Sequence, residues 1–136
     1  MTTMNRTIYI TQHDMSRLRS LIESMKSSRE DLQSLGRELE QARVVPSAEI
    51  PADVITMNSK AELRDLDDGE RMTYTLVFPG DANVDEGLIS VLAPIGTAML
   101  GQRVGDEFKW RVPAGFVRLR VEKVLYQPEA AGQYDL

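Results

Sequence analysis

Few side chains in this sequence are placed for chemistry. Glu30 and Asp31 stand side by side just after Ser27-Ser28, a break that can cap a helix. Paired carboxylates can hold a hard cation, because such ions take oxygen ligands. Neighbours on a helix point about 100° apart, so these two would not converge easily. As first-turn acids they also complement the helix dipole. His13, the single histidine, falls in the first turn of an earlier helical stretch and reads as a surface residue. Trp110 lies between Lys109 and Arg111 and reads as a core or partner-facing aromatic. Arg118 and Arg120 share one strand face, as a solvated stripe or an anion site. The chain has no cysteine, which removes disulfides and thiolate metal sites. No GxSxG, P-loop or metal-ligand cluster occurs. The expectation is no catalytic residue, no metal site and no cofactor.

The elements around these residues follow from periodicity. Arg6 to Ile10 is short and β-branched, an edge strand or an extended lead-in. Thr11 is a helix N-cap with Asp14 in the acidic position of a capping box. Met15, Leu18, Leu21, Ile22 and Met25 then recur at helical spacing. After the break, Leu32, Leu35, Leu39 and Ala42 repeat at coiled-coil spacing until Pro46. Two helices of about sixteen residues with so short a break fold back as an antiparallel hairpin, about 24 Å long. Glu30 and Asp31 lie near its tip.

After a hinge at Pro46 to Pro51 the period drops to two. Val54 to Met57 and Lys60 to Leu66 read as strands, and Asp67-Asp68-Gly69-Glu70 as a turn. Met72, Tyr74, Leu76 and Phe78 share one face of the next strand. Leu88 to Leu92 is a buried strand stopped by Pro94, and Ile95 to Leu100 a helix too short to stand without packing. Gly101 suits a left-handed helix end. Glu107 to Val112, a turn at Pro113 to Gly115 and a long last strand follow. Val117, Leu119 and Val121 face in, Arg118, Arg120 and Glu122 face out, and the alternation slips at Lys123-Val124, as at a bulge.

A chain of 136 residues, 42% hydrophobic and 27% charged, holds one ordinary core, or a small core with an appendage. No apolar run is long enough to span a bilayer and the N-terminus lacks a signal-peptide core, so the expected location is the cytoplasm. Net charge is −5, unevenly spread. Residues 1–48 hold seven Lys/Arg and six Asp/Glu, while residues 49–90 hold three against ten. A free duplex-DNA binder is usually basic. An acidic body suits solubility or a basic protein partner.

The order ISV, PIGTAMLG, VGD and the PAG turn, within residues 89–115, resembles the C-terminal domain of the Gre transcript cleavage factors. VITMNS at residues 54–59 and the tail YQPEAAGQYDL at residues 126–136 resemble the regulator of nucleoside diphosphate kinase family, small bacterial Gre relatives. The resemblance implies an α+β fold. A short antiparallel helical hairpin, a coiled coil over residues 1–46, would precede an FKBP-like antiparallel sheet with one short helix over residues 47–136. It implies a monomer that binds bacterial RNA polymerase at the rim of its secondary channel, competes with Gre factors and modulates elongation. No enzyme activity, free DNA binding or membrane association is expected.

In Gre factors the loop before the short helix makes the polymerase contact, which points here to Leu92, Pro94 and Ile95. The acidic or polar residues usual before that proline are replaced by Leu92 and Ala93, leaving an apolar contact. Gre factors also use an Asp and a Glu at the arm tip to hold a catalytic Mg²⁺ in the polymerase. Here Glu30 and Asp31 are adjacent rather than spaced, on a shorter arm. Two alternatives stay open: a Gre-type cleavage factor using Glu30 and Asp31, or a prolyl isomerase on the FKBP-like fold.

Overall fold

The computed structural model describes residues 9–25, 36–37, 39–40, 42–112 and 115–132. Helix α1, Gln12–Met25, begins at the expected cap: Thr11 Oγ1 accepts from the Asp14 amide at 3.0 Å. Its apolar positions Met15 and Leu18 are buried. The tip residues Glu30 and Asp31 lie outside the described residues. On the return, residues 36–37 and 39–40 are helical. The helix was expected to run to Pro46. Instead Arg43–Val45 form strand β2, which pairs in parallel with β1, Tyr9–Thr11.

The body is a five-stranded sheet. Strands β3 (Lys60–Asp65), β4 (Arg71–Val77), β5 (Leu88–Ser90), β6 (Glu107–Val112) and β7 (Gly115–Tyr126) take the order β5-β4-β3-β7-β6. The expected antiparallel sheet is in fact mixed. β5 runs parallel to β4, because residues 79–87 carry the chain back through two 3-10 turns before it pairs again. The expected strand at Val54 to Met57 is absent as well. Val54 makes a single bridge to Arg103, and the chain then turns at Asn58, whose φ is 68°. That turn is closed by Ser59 N–H to Thr56 C=O at 3.0 Å. The slip near the end of β7 is a real irregularity: the register against β3 shifts between Glu62 and Leu63, and again between Lys60 and Ala61.

One core joins both parts of the chain. Leu63, Leu76, Leu119 and Val121 come from the sheet, Ile95 and Met99 from the short helix α2 (Pro94–Met99), and Ile10, Leu18 and Leu39 from the N-terminal part. The N-terminal residues therefore pack on the body rather than only on each other.

Candidate functional site

The corner between β5 and α2 is tightly tied. Ser90 Oγ accepts from Leu92 N–H at 3.0 Å, and Ser90 C=O accepts from Ala93 N–H at 3.0 Å. Thr97 Oγ1 donates to Val91 C=O at 2.7 Å, which pins the helix to the strand end. Gly96 allows the close approach, since a Cβ there would fall on the Ser90 carbonyl oxygen and 2.9 Å from its carbon. Gly101 ends the helix with φ 81° and donates to Ile55 C=O at 2.9 Å.

This geometry corrects the expected apolar contact. Leu92 and Ile95 are each only 5% exposed and belong to the core. A six-residue helix has few other apolar side chains to anchor it, so both are drawn inward. At the corner Ser90 and Ala93 are half-buried.

A second cluster lies where the arm meets the body. Asp14, 1% exposed, does not reach back to close a capping box. Its Oδ2 accepts from the Met57 amide at 3.0 Å, while Oδ1 is buried with no partner among the described residues. Burial pushes its carboxyl up to about 6; the Met57 N–H opposes this, and the nearby Glu129 carboxylate adds to it. Glu129, itself buried, accepts from Thr56 Oγ1 at 2.6 Å, and Thr56 Oγ1 also lies 2.8 Å from Ser59 Oγ. Gln127 Nε2 donates to the Pro51 and Val54 carbonyls at 2.7 and 2.9 Å, tying the C-terminal segment across the same joint. Sequence reasoning missed this cluster. Its one local signal was an acid at an N-terminal helix position, which has an ordinary local explanation.

An open groove between α1 and the end of β4 is lined by Ser16, Arg17, Ser20, Leu21 and Phe78, with the Arg17 guanidinium 4.1 Å above the Phe78 ring. Arg118 and Arg120 point outward from β7 and pair at 2.8 Å with Asp67 and Glu107. His13 is half-buried on α1. Trp110 sits in β6 opposite Val117. No group of three or more His, Cys, Asp or Glu among the described residues could hold a metal ion. No described helix is long and apolar enough to cross a membrane.

Residues 50–126 match the family profile of the transcription elongation factor GreA/GreB C-terminal domain, and residues 6–45 match the Rnk N-terminus. The regulator of nucleoside diphosphate kinase of Escherichia coli strain K12 is 41% identical over 132 residues, spanning 96% of this chain and 97% of that protein. A solved GreA/GreB elongation factor from Nitrosomonas europaea superposes with a TM-score of 0.76 at 39% identity, covering 89% of this chain and 99% of that one. GreA factor homolog 1 of Thermus thermophilus gives 0.51 at 28% identity, covering 89% and 100%.

Proposed function

This chain belongs to the GreA/GreB transcription elongation factor family, among its regulator of nucleoside diphosphate kinase relatives, and from that premise we propose that it binds RNA polymerase and modulates elongation without a reaction of its own. The β5–α2 corner docks at the secondary-channel rim of a polymerase in the cytoplasm. The short arm enters the channel mouth and occupies the place a longer Gre arm would take. The observation that carries this reading is a Gre-type body whose core is shared with the base of a helical arm. A shared core fixes the arm's direction relative to the docking corner, as a channel-directed arm requires. The described part of α1 has 14 residues, a length of about 21 Å.

The prolyl isomerase alternative calls for an aromatic-lined pocket. The groove beside α1 is lined by a single aromatic ring, Phe78. The test is a pull-down of bacterial core RNA polymerase on the immobilised full chain, paired with a prolyl isomerase assay. Polymerase capture with no isomerase activity is the expected result. Absence of capture, or turnover of a proline substrate, would overturn the reading.

A further inference from the structure

Strands β3, β4, β6 and β7 turn one face to the core and the other to solvent. On the solvent face, cross-strand register gathers cations that are scattered in sequence. Arg71 lies opposite Arg64, and Arg64 opposite Arg120. Three arginines thus form one row across β4, β3 and β7. One step along β7, Arg118 lies opposite Lys109. Beyond it comes Phe116, 62% exposed, with the Lys109 ammonium 5.9 Å from its ring centroid. At the other end of β7, Tyr126 lies opposite Lys60 and is 36% exposed.

Like charges directly opposite weaken a sheet. Acids offset part of the array: Glu107 pairs with Arg120 and Asp67 with Arg118, each at 2.8 Å, while Glu122 lies 3.8 Å from Arg120 and Glu62 3.8 Å from Arg71. A phosphate at Arg118 therefore has to displace or share the exposed Asp67 carboxylate. Arg64, in the middle, has no ion pair among the described residues. A chain of net charge −5 thereby concentrates cations on one sheet face, against its overall sign. Same-face neighbours along a strand are about 6.8 Å apart, and adjacent strands about 4.8 Å. The result is an array of cations across the sheet with an exposed ring at each end of β7.

We propose that this face binds single-stranded RNA, with phosphates held by Arg64, Arg71, Arg118 and Lys109 and a base stacked on Phe116. Sheet surfaces recognise single strands through this combination of cations and exposed rings. An acidic peptide would answer the cations but leaves the two rings without a role. The choice of RNA rests on the elongation-factor reading above, since RNA is the single strand that a transcribing polymerase releases.

The test is fluorescence anisotropy of a labelled single-stranded RNA of about 15 nucleotides with the full chain, titrated with salt and without polymerase. Polymerase docking can then fail without affecting the result. Arg64→Ala/Arg71→Ala should weaken binding at least about tenfold and reduce the salt slope by about 1.4, since each phosphate contact contributes about 0.7 on a single strand. Phe116→Ala should weaken binding about fivefold or more and leave the salt slope unchanged. A thermal melt checks that the double arginine variant is folded, since it removes a like-charge pair but also the cation beside Glu62; Phe116→Ala reads binding independently of that contact. Wild-type affinity in both variants, or no binding by wild type at low salt, would overturn the proposal. So would polyglutamate binding as tightly as RNA with no dependence on Phe116. Equal affinity for single-stranded DNA would overturn the choice of RNA.

Discussion

The Met57 amide donates a 3.0 Å hydrogen bond to the Asp14 carboxylate, 43 residues earlier in the chain. It ties the first turn of the arm to the turn that leads into β3. Met57 is 1% exposed, so its N–H has no access to water in place of Asp14. At pH 4, where Asp14 is largely protonated, Asp14→Ala should lower stability by about 1–3 kcal/mol through the orphaned amide. Urea unfolding at that pH measures it, and an unchanged midpoint would remove the joint from the account of the fold.

The same residue makes stability depend on pH. Its ordinary value is 3.8 and its folded value about 6. The folded protein therefore keeps a proton that the unfolded chain has already released. The stability from that proton is fully present below about 3.8 and lost as pH rises through about 6. The full effect is about 3 kcal/mol. Asp14→Asn keeps an acceptor for Met57 and never ionises. Its stability relative to wild type should rise between pH 4 and pH 7 and then level off. Parallel urea titrations across that window check it; a constant difference would mean Asp14 is not the titrating group.

Gly96→Ala should destabilise the protein by at least about 2 kcal/mol. Helix propensity alone favours Ala by about 1 kcal/mol. The backbone clash wins, because the new Cβ would meet the Ser90 carbonyl and lie 3.1 Å from the Val91 Cα. A thermal melt decides the sign.

Ile95→Asp is unsuitable as a docking probe, since Ile95 is 5% exposed and the variant would bury a charge. Ala93→Arg is better placed, at the half-buried N-cap of α2. It should weaken polymerase binding at least about tenfold, or 1.4 kcal/mol, in a variant that a thermal melt shows to be folded, since Ala93 also packs against the core. Unchanged affinity in the folded variant would sink the assignment of the corner as the docking loop.

In stalled elongation complexes with radiolabelled RNA, the chain alone should leave cleavage at its intrinsic rate. It should inhibit Gre-stimulated cleavage, with relief by excess Gre factor, as mass action at a shared site requires. Stimulation that disappears in Glu30→Ala/Asp31→Ala would show instead that the arm is catalytic.

Much of the fold was legible in the residues because local geometry determines it. The Thr11 cap, the left-handed helix end at Gly101 and the alternation in β3, β4 and β7 each depend on neighbours a few positions away. The irregularity near the end of β7 announced itself as a slip in that alternation. What escaped was non-local. The parallel pairings of β1 with β2 and of β4 with β5 depend on where intervening chain returns, which no local pattern encodes. Leu92, apolar at the head of a family-like loop, could have faced a partner or the core; only packing around so short a helix sends it inward.

The site residues divide in the same way. Arg118 and Arg120 were visible as a stripe, because a strand repeats every two residues. Arg64 and Arg71 joined them only when sheet register placed them in a row. Asp14 shows the limit most clearly. By spacing it is a capping-box acid, and tertiary structure gave it a different donor, Met57, and a buried acidic neighbour, Glu129. The identity of each side chain is local information, whereas its hydrogen-bond partner and its dielectric surroundings come from residues brought close by the fold.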